Sequence, residues 1–132
     1  MNVSRNPRRA CALGLLLLLL GAAPAEAVTT LTTGLVYRWG TFFDCFIVNA
    51  GTTAIKVTIQ AVDSTGTVAL DRPSTTVPAG DAVSLEVPPS FGSALLYCKF
   101  ILTVGNKAYV RASYCVEGGT GDQRCVATGD AY

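Results

Sequence analysis

The stretch Ala94–Val104, ALLYCKFILTV, constrains the fold more than any other part of this 132-residue chain. Leu96, Cys98, Phe100, Leu102 and Val104 alternate with Leu95, Tyr97, Lys99, Ile101 and Thr103. A period of two, with one wholly apolar face and one mixed face, describes a strand buried on its apolar side. With a cysteine at its centre, it reads as the central strand of a small β-sandwich stapled by disulfides. The other segments take their places relative to it.

The hydrophobic content of 50% overstates the core. Much of it lies in the first 27 residues, where Arg5, Arg8 and Arg9 precede the apolar run Ala10–Ala23 and an Ala25-Glu26-Ala27 cleavage signal follows. That is the anatomy of a secretory signal peptide. The apolar run is shorter than the ~20 residues a membrane-spanning helix needs. Residues 1–27 are therefore expected to be removed, leaving 28–132 as one domain with its core over about 35–130. Ala-Cys-Ala after Arg8-Arg9 favours general export over the twin-arginine route, and Cys11 precedes the apolar run, so it is not a lipoprotein's acylated cysteine. The expected location is secreted or periplasmic, with no membrane span after cleavage. Beyond Ala27 the chain holds seven basic and eight acidic residues with no basic stripe, so no nucleic-acid partner is expected.

Along the mature chain, Val28–Gly34 reads as a loose, Thr-rich lead-in and Leu35–Trp39 as a short edge strand. Thr41–Val48 is apolar on both faces apart from Asp44. Ile55–Val62 alternates cleanly, and Asp63-Ser64-Thr65-Gly66 fits a type I turn. Thr67–Leu70 and Thr75–Val77 read as short strands separated by Pro73, which suits an edge. Ala82–Val87 forms another strand. No segment carries an apolar period of 3.6 residues, so no helix is expected. Strands recurring every 8–12 residues indicate a sandwich or barrel.

Gly105-Asn106 predicts a hairpin back along the central strand. A three-residue loop, Gly105–Lys107, sets Val104 opposite Ala108, Phe100 opposite Ala112 and Cys98 opposite Tyr114, keeping one face apolar. A two-residue turn would set Phe100 opposite Arg111 on that face. The longer loop is therefore expected. Of the four cysteines beyond the leader, Cys115 then points away from Cys98, while Cys45 sits on the other strongly buried strand. Four cysteines allow three pairings. The preferred one joins Cys45 to Cys98 through the core and Cys115 to Cys125 around the loop 117–124. The spacings contain no CxxC, and no histidine is present to complete a zinc shell, so no metal and no cofactor are expected.

The absence of histidine also removes Ser-His-Asp and Cys-His catalysis. Asp63-Ser64-Thr65 lacks the glycine that an aspartic-protease signature needs directly after Asp-Ser or Asp-Thr. Gly118-Gly119-Thr120-Gly121-Asp122 occurs once and lacks the spacer of a calcium-binding repeat. No catalytic constellation emerges. Two regions could serve binding. One is the disulfide-closed loop with Glu117, Asp122 and Arg124, partly preorganised by its bridge. The other is the outward face of the hairpin, with Tyr97, Lys99, Ile101, Tyr109, Arg111 and Ser113, where Tyr and Arg are residue types enriched at interface hot spots.

Cys45 with Asn49 and Gly51, Val57, Ile59 and Gly66, Pro78-Ala79-Gly80, Tyr97-Cys98-Lys99-Phe100, Val110-Arg111-Ala112-Ser113 and Cys115 resemble the pattern of an uncharacterised family of small secreted bacterial proteins. The resemblance runs from about residue 42 to Val126. More broadly, the N-x-G, alternating-strand and P-A-G elements are similar to bacterial immunoglobulin-like modules. The resemblance implies an all-β, immunoglobulin-like sandwich of about seven antiparallel strands, and export, but supplies no activity. The expected function is a non-enzymatic exported module that binds a protein or cell-envelope component. The alternative is a secreted inhibitor or effector acting through the loop 117–124.

Overall fold

Burial of alternate side chains on both sides of one apolar layer organises the chain into two antiparallel sheets. The computed structural model describes residues 27–38, 41–92, 94–117 and 125–131, the final strand by its backbone. Its strands are β1 (Thr29–Thr32), β2 (Val36–Arg38), β3 (Phe43–Asn49), β4 (Ile55–Asp63), β5 (Val68–Val77), β6 (Ala82–Val87), β7 (Ala94–Val104), β8 (Val110–Glu117) and β9 (Cys125–Asp130). One sheet runs β1-β7-β4-β5, with β2 also paired to β7, and the other runs β6-β3-β8-β9. Two single 3-10 turns, Pro89–Phe91 and Lys107–Tyr109, supply the helical content of the described residues.

The central role expected of Ala94–Val104 holds. β7 is bonded on one edge by β4 and on the other by β1 and β2. Its inward row Leu96, Cys98, Phe100 and Leu102 is at most 2% exposed. It faces Phe43, Cys45 and Ile47 of β3, each fully buried, and the two rows meet in the Cys45–Cys98 disulfide, with Cα atoms 5.5 Å apart. This bridge joins the central strands of the two sheets, as in immunoglobulin-type sandwiches.

Three expectations are corrected. Val28–Gly34 is not a loose lead-in, because Thr29–Thr32 pairs with Lys99–Leu102 as an edge strand. Leu31 is its buried residue, and Thr33 exchanges hydrogen bonds with Cys98, donating from its N and accepting at Oγ1 (3.0 and 2.9 Å). The two short strands around Pro73 are one strand, β5, whose ladder skips between Thr75 and Arg72 where the missing proline N–H would have broken it. Third, the β7–β8 hairpin does not form. Both edges of β7 are taken, so β8 crosses to the other sheet and pairs with β3, setting Tyr114 opposite Cys45 and Ala112 opposite Ile47. Gly105, at φ +114°, begins the crossing, where a Cβ would lie 2.6 Å from Ile55 Cγ2. Asn106 then caps the turn by accepting from Ala108 N (2.9 Å).

Polar side chains close the ends of the sandwich. Asn49 is fully buried. Its Nδ2 donates to the carbonyls of Thr53, Val77 and Pro78 (2.8, 3.0 and 3.0 Å), and its Oδ1 accepts from Gly51 N. Gly51 sits closely against this network, where a Cβ would lie 3.1 Å from Tyr109 Cβ and 3.2 Å from the same Oδ1. Arg72 joins the sheets along one side, donating to Ser84 O at 2.8 Å.

Arg38 holds the opposite end. It is fully buried, and its guanidinium donates to Val87 O (3.0 Å), Pro88 O (2.8 Å) and Gly92 O. Burial lowers its pKa, and its Nε has no hydrogen-bond partner. Carbonyl dipoles therefore solvate this charge. Removing it leaves those carbonyls unpaired, which costs about 1–3 kcal/mol for each buried group. Arg38→Met is expected to destabilise the fold by about 3 kcal/mol, lowering Tm by more than ~10 °C in thermal unfolding. An unchanged Tm would show that the guanidinium does not hold this end.

Candidate functional site

The expected binding face is divided by the topology. Tyr97, Lys99 and Ile101 lie half-buried on the outer face of the five-stranded sheet, flanked by Val62, Gln60 and Thr58 of β4. Tyr109 stands 58% exposed in the turn before β8, while Arg111 and Ser113 lie on the outer face of the other sheet. These six residues share one face only in a β7–β8 hairpin, and without it they form two surfaces. Glu117 ends β8, paired with Cys125, whereas Asp122 and Arg124 lie outside the described residues. Cys115 is disulfide-bonded and points to the outer face. The side chain of Cys125, its expected partner, also lies outside the described residues.

What the topology does bring together is the outer face of β6-β3-β8. Because β3 alternates Phe43, Cys45, Ile47 and Asn49 inward, Asp44, Phe46 and Val48 must point out, and each is half-buried. Cross-strand register then sets Val48 beside Arg111, Phe46 between Ser84 and Ser113, and Asp44 between Glu86 and Cys115. A depression of about 260 Å³ opens among Phe46, Val48, Arg111, Ser113 and Ala131. Arg111 is exposed at its rim, donating to the carbonyls of Val110 and Ala108 (3.0 and 3.3 Å). The face thus carries Val48 and Arg111 at one end, Phe46 between two serines in the middle, and Asp44 with Glu86 at the other end.

Phe46, Val48, Asp44 and Glu86 were not among the candidate residues. For Phe46 and Val48 the signal lies in Thr41–Val48, apolar on both faces apart from Asp44, whereas Glu86 on its own short strand carries none. One apolar face of such a strand lines the core, and the other marks either a second buried layer or a docking surface.

Asp44 is the perturbed acid of this face. Loss of solvent raises its pKa to about 6, with the charges of Glu117 and Glu86 and a hydrogen bond with Glu117 adding to the rise. By contrast, Asp63 is absorbed by its turn. Its Oδ1 accepts from Thr65 N, Thr65 Oγ1 and Thr67 N (2.8, 2.6 and 2.9 Å), and these bonds, the Thr65 hydroxyl first, lower its pKa. Among the described residues no three His, Cys, Asp or Glu side chains converge to hold a metal ion, and no helix is long and apolar enough to cross a membrane. No family model matches the chain, and no curated protein or solved structure matches it either. Its own geometry has to carry the functional reading.

Asp44 gives that geometry a pH signature. Its folded pKa of about 6 lies above the ordinary 3.8, so the folded state binds this proton more tightly than the unfolded chain. Stability from this group is therefore fully present below about pH 4 and is lost as pH rises through about 6. A shift of this size corresponds to about 3 kcal/mol for a fully buried group, and solvent screening at a half-buried position reduces it to about 1 kcal/mol. Asp44→Asn is expected to be more stable than the parent at pH 7.5 by about that amount, with the gap closing by pH 4 in thermal unfolding. A variant less stable than the parent at pH 7.5 would contradict the assignment.

Proposed function

We propose that the chain is an exported, non-enzymatic interaction module that presents the outer face of its four-stranded sheet to a protein or cell-envelope component. The leader anatomy of residues 1–27 and the Cys45–Cys98 bridge support export, since disulfides persist in oxidising compartments. One observation carries the choice of face. Apolar Phe46 and Val48, exposed Arg111 and a depression of about 260 Å³ adjoin on one sheet surface. Arg beside apolar area is the composition of interface hot spots. Among the described residues the buried polar ones, Thr33, Arg38 and Asn49, are engaged in holding backbone instead.

A photo-crosslinking side chain placed at Ser113, and separately at Lys56 on the other sheet, tests the face in cells that export the protein. Adducts are expected at position 113 and not at 56. Equal labelling at both, or labelling at 56 alone, would overturn the assignment.

A further inference from the structure

The outer face of the five-stranded sheet carries charges that the fold leaves unused. Among the described residues its strands hold Arg38, Lys56, Asp63, Asp71, Arg72 and Lys99 as their charged side chains. Arg38 is buried on carbonyls, Asp63 is bound into its turn, and Arg72 reaches sideways to Ser84 O. Asp71, Lys99 and Lys56 remain on the outer face. Register sets Gln60 between Asp71 and Lys99, so an acid and an amine stand in one row on either side of β4. Neither forms an ion pair among the described residues. The next row is apolar, with Val62 between Val68 and Tyr97 and with Leu95 beyond. Val68 and Leu95 are each 43% exposed.

We propose that this face is an isologous docking surface for a second copy of the chain, with the twofold axis lying in the interface along β4. That operation lays β4 on β4 and each copy's β7 on the other's β5. Lys99 of one copy then meets Asp71 of the other, and Tyr97 meets Val68. In a twofold interface each of these contacts occurs twice. Gln60 and Val62 meet their own counterparts on the axis, where a carboxamide can both donate and accept. Strands that share a direction across the interface give the nearly aligned packing that stacked sheets prefer, ~10 Å apart.

Lys56 is the one charge that the axis sets toward its own mate. It lies at the rim, about five residues or ~17 Å along β4 from the midpoint of Gln60 and Val62. At that distance strands crossed by about 30° are ~9 Å apart, close to a Debye length, so two exposed amines there repel weakly. Charge complementarity identifies the partner, and area sets its strength. β5, β4 and β7 span ~14 Å, and about eight residues of each give ~400 Å² per copy, or ~800 Å² in total. That is the low end for a reversible interface, so dimerisation is expected at ~100 µM. β1 and β2 project past the partner's β5. The opposite face, with Ser113, stays free for its own partner.

Sedimentation velocity on the protein recovered from outside the cytoplasm, from ~10 µM to ~1 mM, brackets the expected constant. The parent is expected to pass from monomer to dimer. Lys99→Glu and Asp71→Lys should each weaken self-association at least ~tenfold, because like charges then face each other twice. Mixing the two variants should restore a dimer, and so should combining both substitutions in one chain, since every acid again meets an amine. Circular dichroism and Tm of each variant show that it is folded. A parent that stays monomeric throughout, a dimer that Lys99→Glu leaves unchanged, or variants that fail to associate when mixed would overturn the inference. None of those results touches the partner face on the other sheet, which crosslinking at position 113 reads separately.

Discussion

The covalent link between Cys45 and Cys98 ties together the central strands of both sheets, and the rest of the structure is arranged around it. Cross-linking residues 53 apart removes about 4 kcal/mol of chain entropy from the unfolded state. That is a large share of the roughly 5–15 kcal/mol by which a domain of this size is stable. The bridge also sets which way each sheet faces. Once Cys45 and Cys98 both point inward, alternation commits Phe43 and Ile47 on one strand and Leu96 and Phe100 on the other to the same apolar layer.

The same alternation determines what is left outside. Asp44, Phe46 and Val48 lie half-buried on the outer face because Cys45 and Ile47 point inward. Buried polar groups serve a separate purpose. Arg38, Asn49 and Thr33 each engage backbone groups where the ladders end, so the two ends of the sandwich are closed without drawing on the outer faces. The chain carries no histidine, and Asp63 is bound into its turn.

Much of this fold was legible in the chain because alternation is a strong local signal. The inward rows of β4, β6, β7 and β8 follow from it, as does the Cys45–Cys98 pairing. Alternation says which face a residue takes but not which strand lies beside it. Val110, Ala112 and Tyr114 point inward whether β8 pairs with β7 or with β3, so the hairpin suggested by Gly105-Asn106 fitted the pattern equally well. The competition was decided at a distance by β1, a Thr-rich strand with Leu31 as its one apolar residue, and by β2, three residues long with Val36 packed against the core. Arg38 was illegible for a related reason, since a charged residue in a short strand reads as solvated until three carbonyls surround it. The candidate site suffered most, because it depended on a neighbour relationship and not on a face.

The placement of β8 on β3 therefore decides both the fold and the proposed surface, and interstrand proton contacts measure it directly. Nuclear Overhauser contacts across the β3–β8 ladder are expected, linking Cys45 with Tyr114 and Ile47 with Ala112. Contacts linking Cys98 with Tyr114 and Phe100 with Ala112 across a paired ladder would instead place β8 on β7, and the outer face built from Asp44, Phe46, Val48 and Arg111 would not exist.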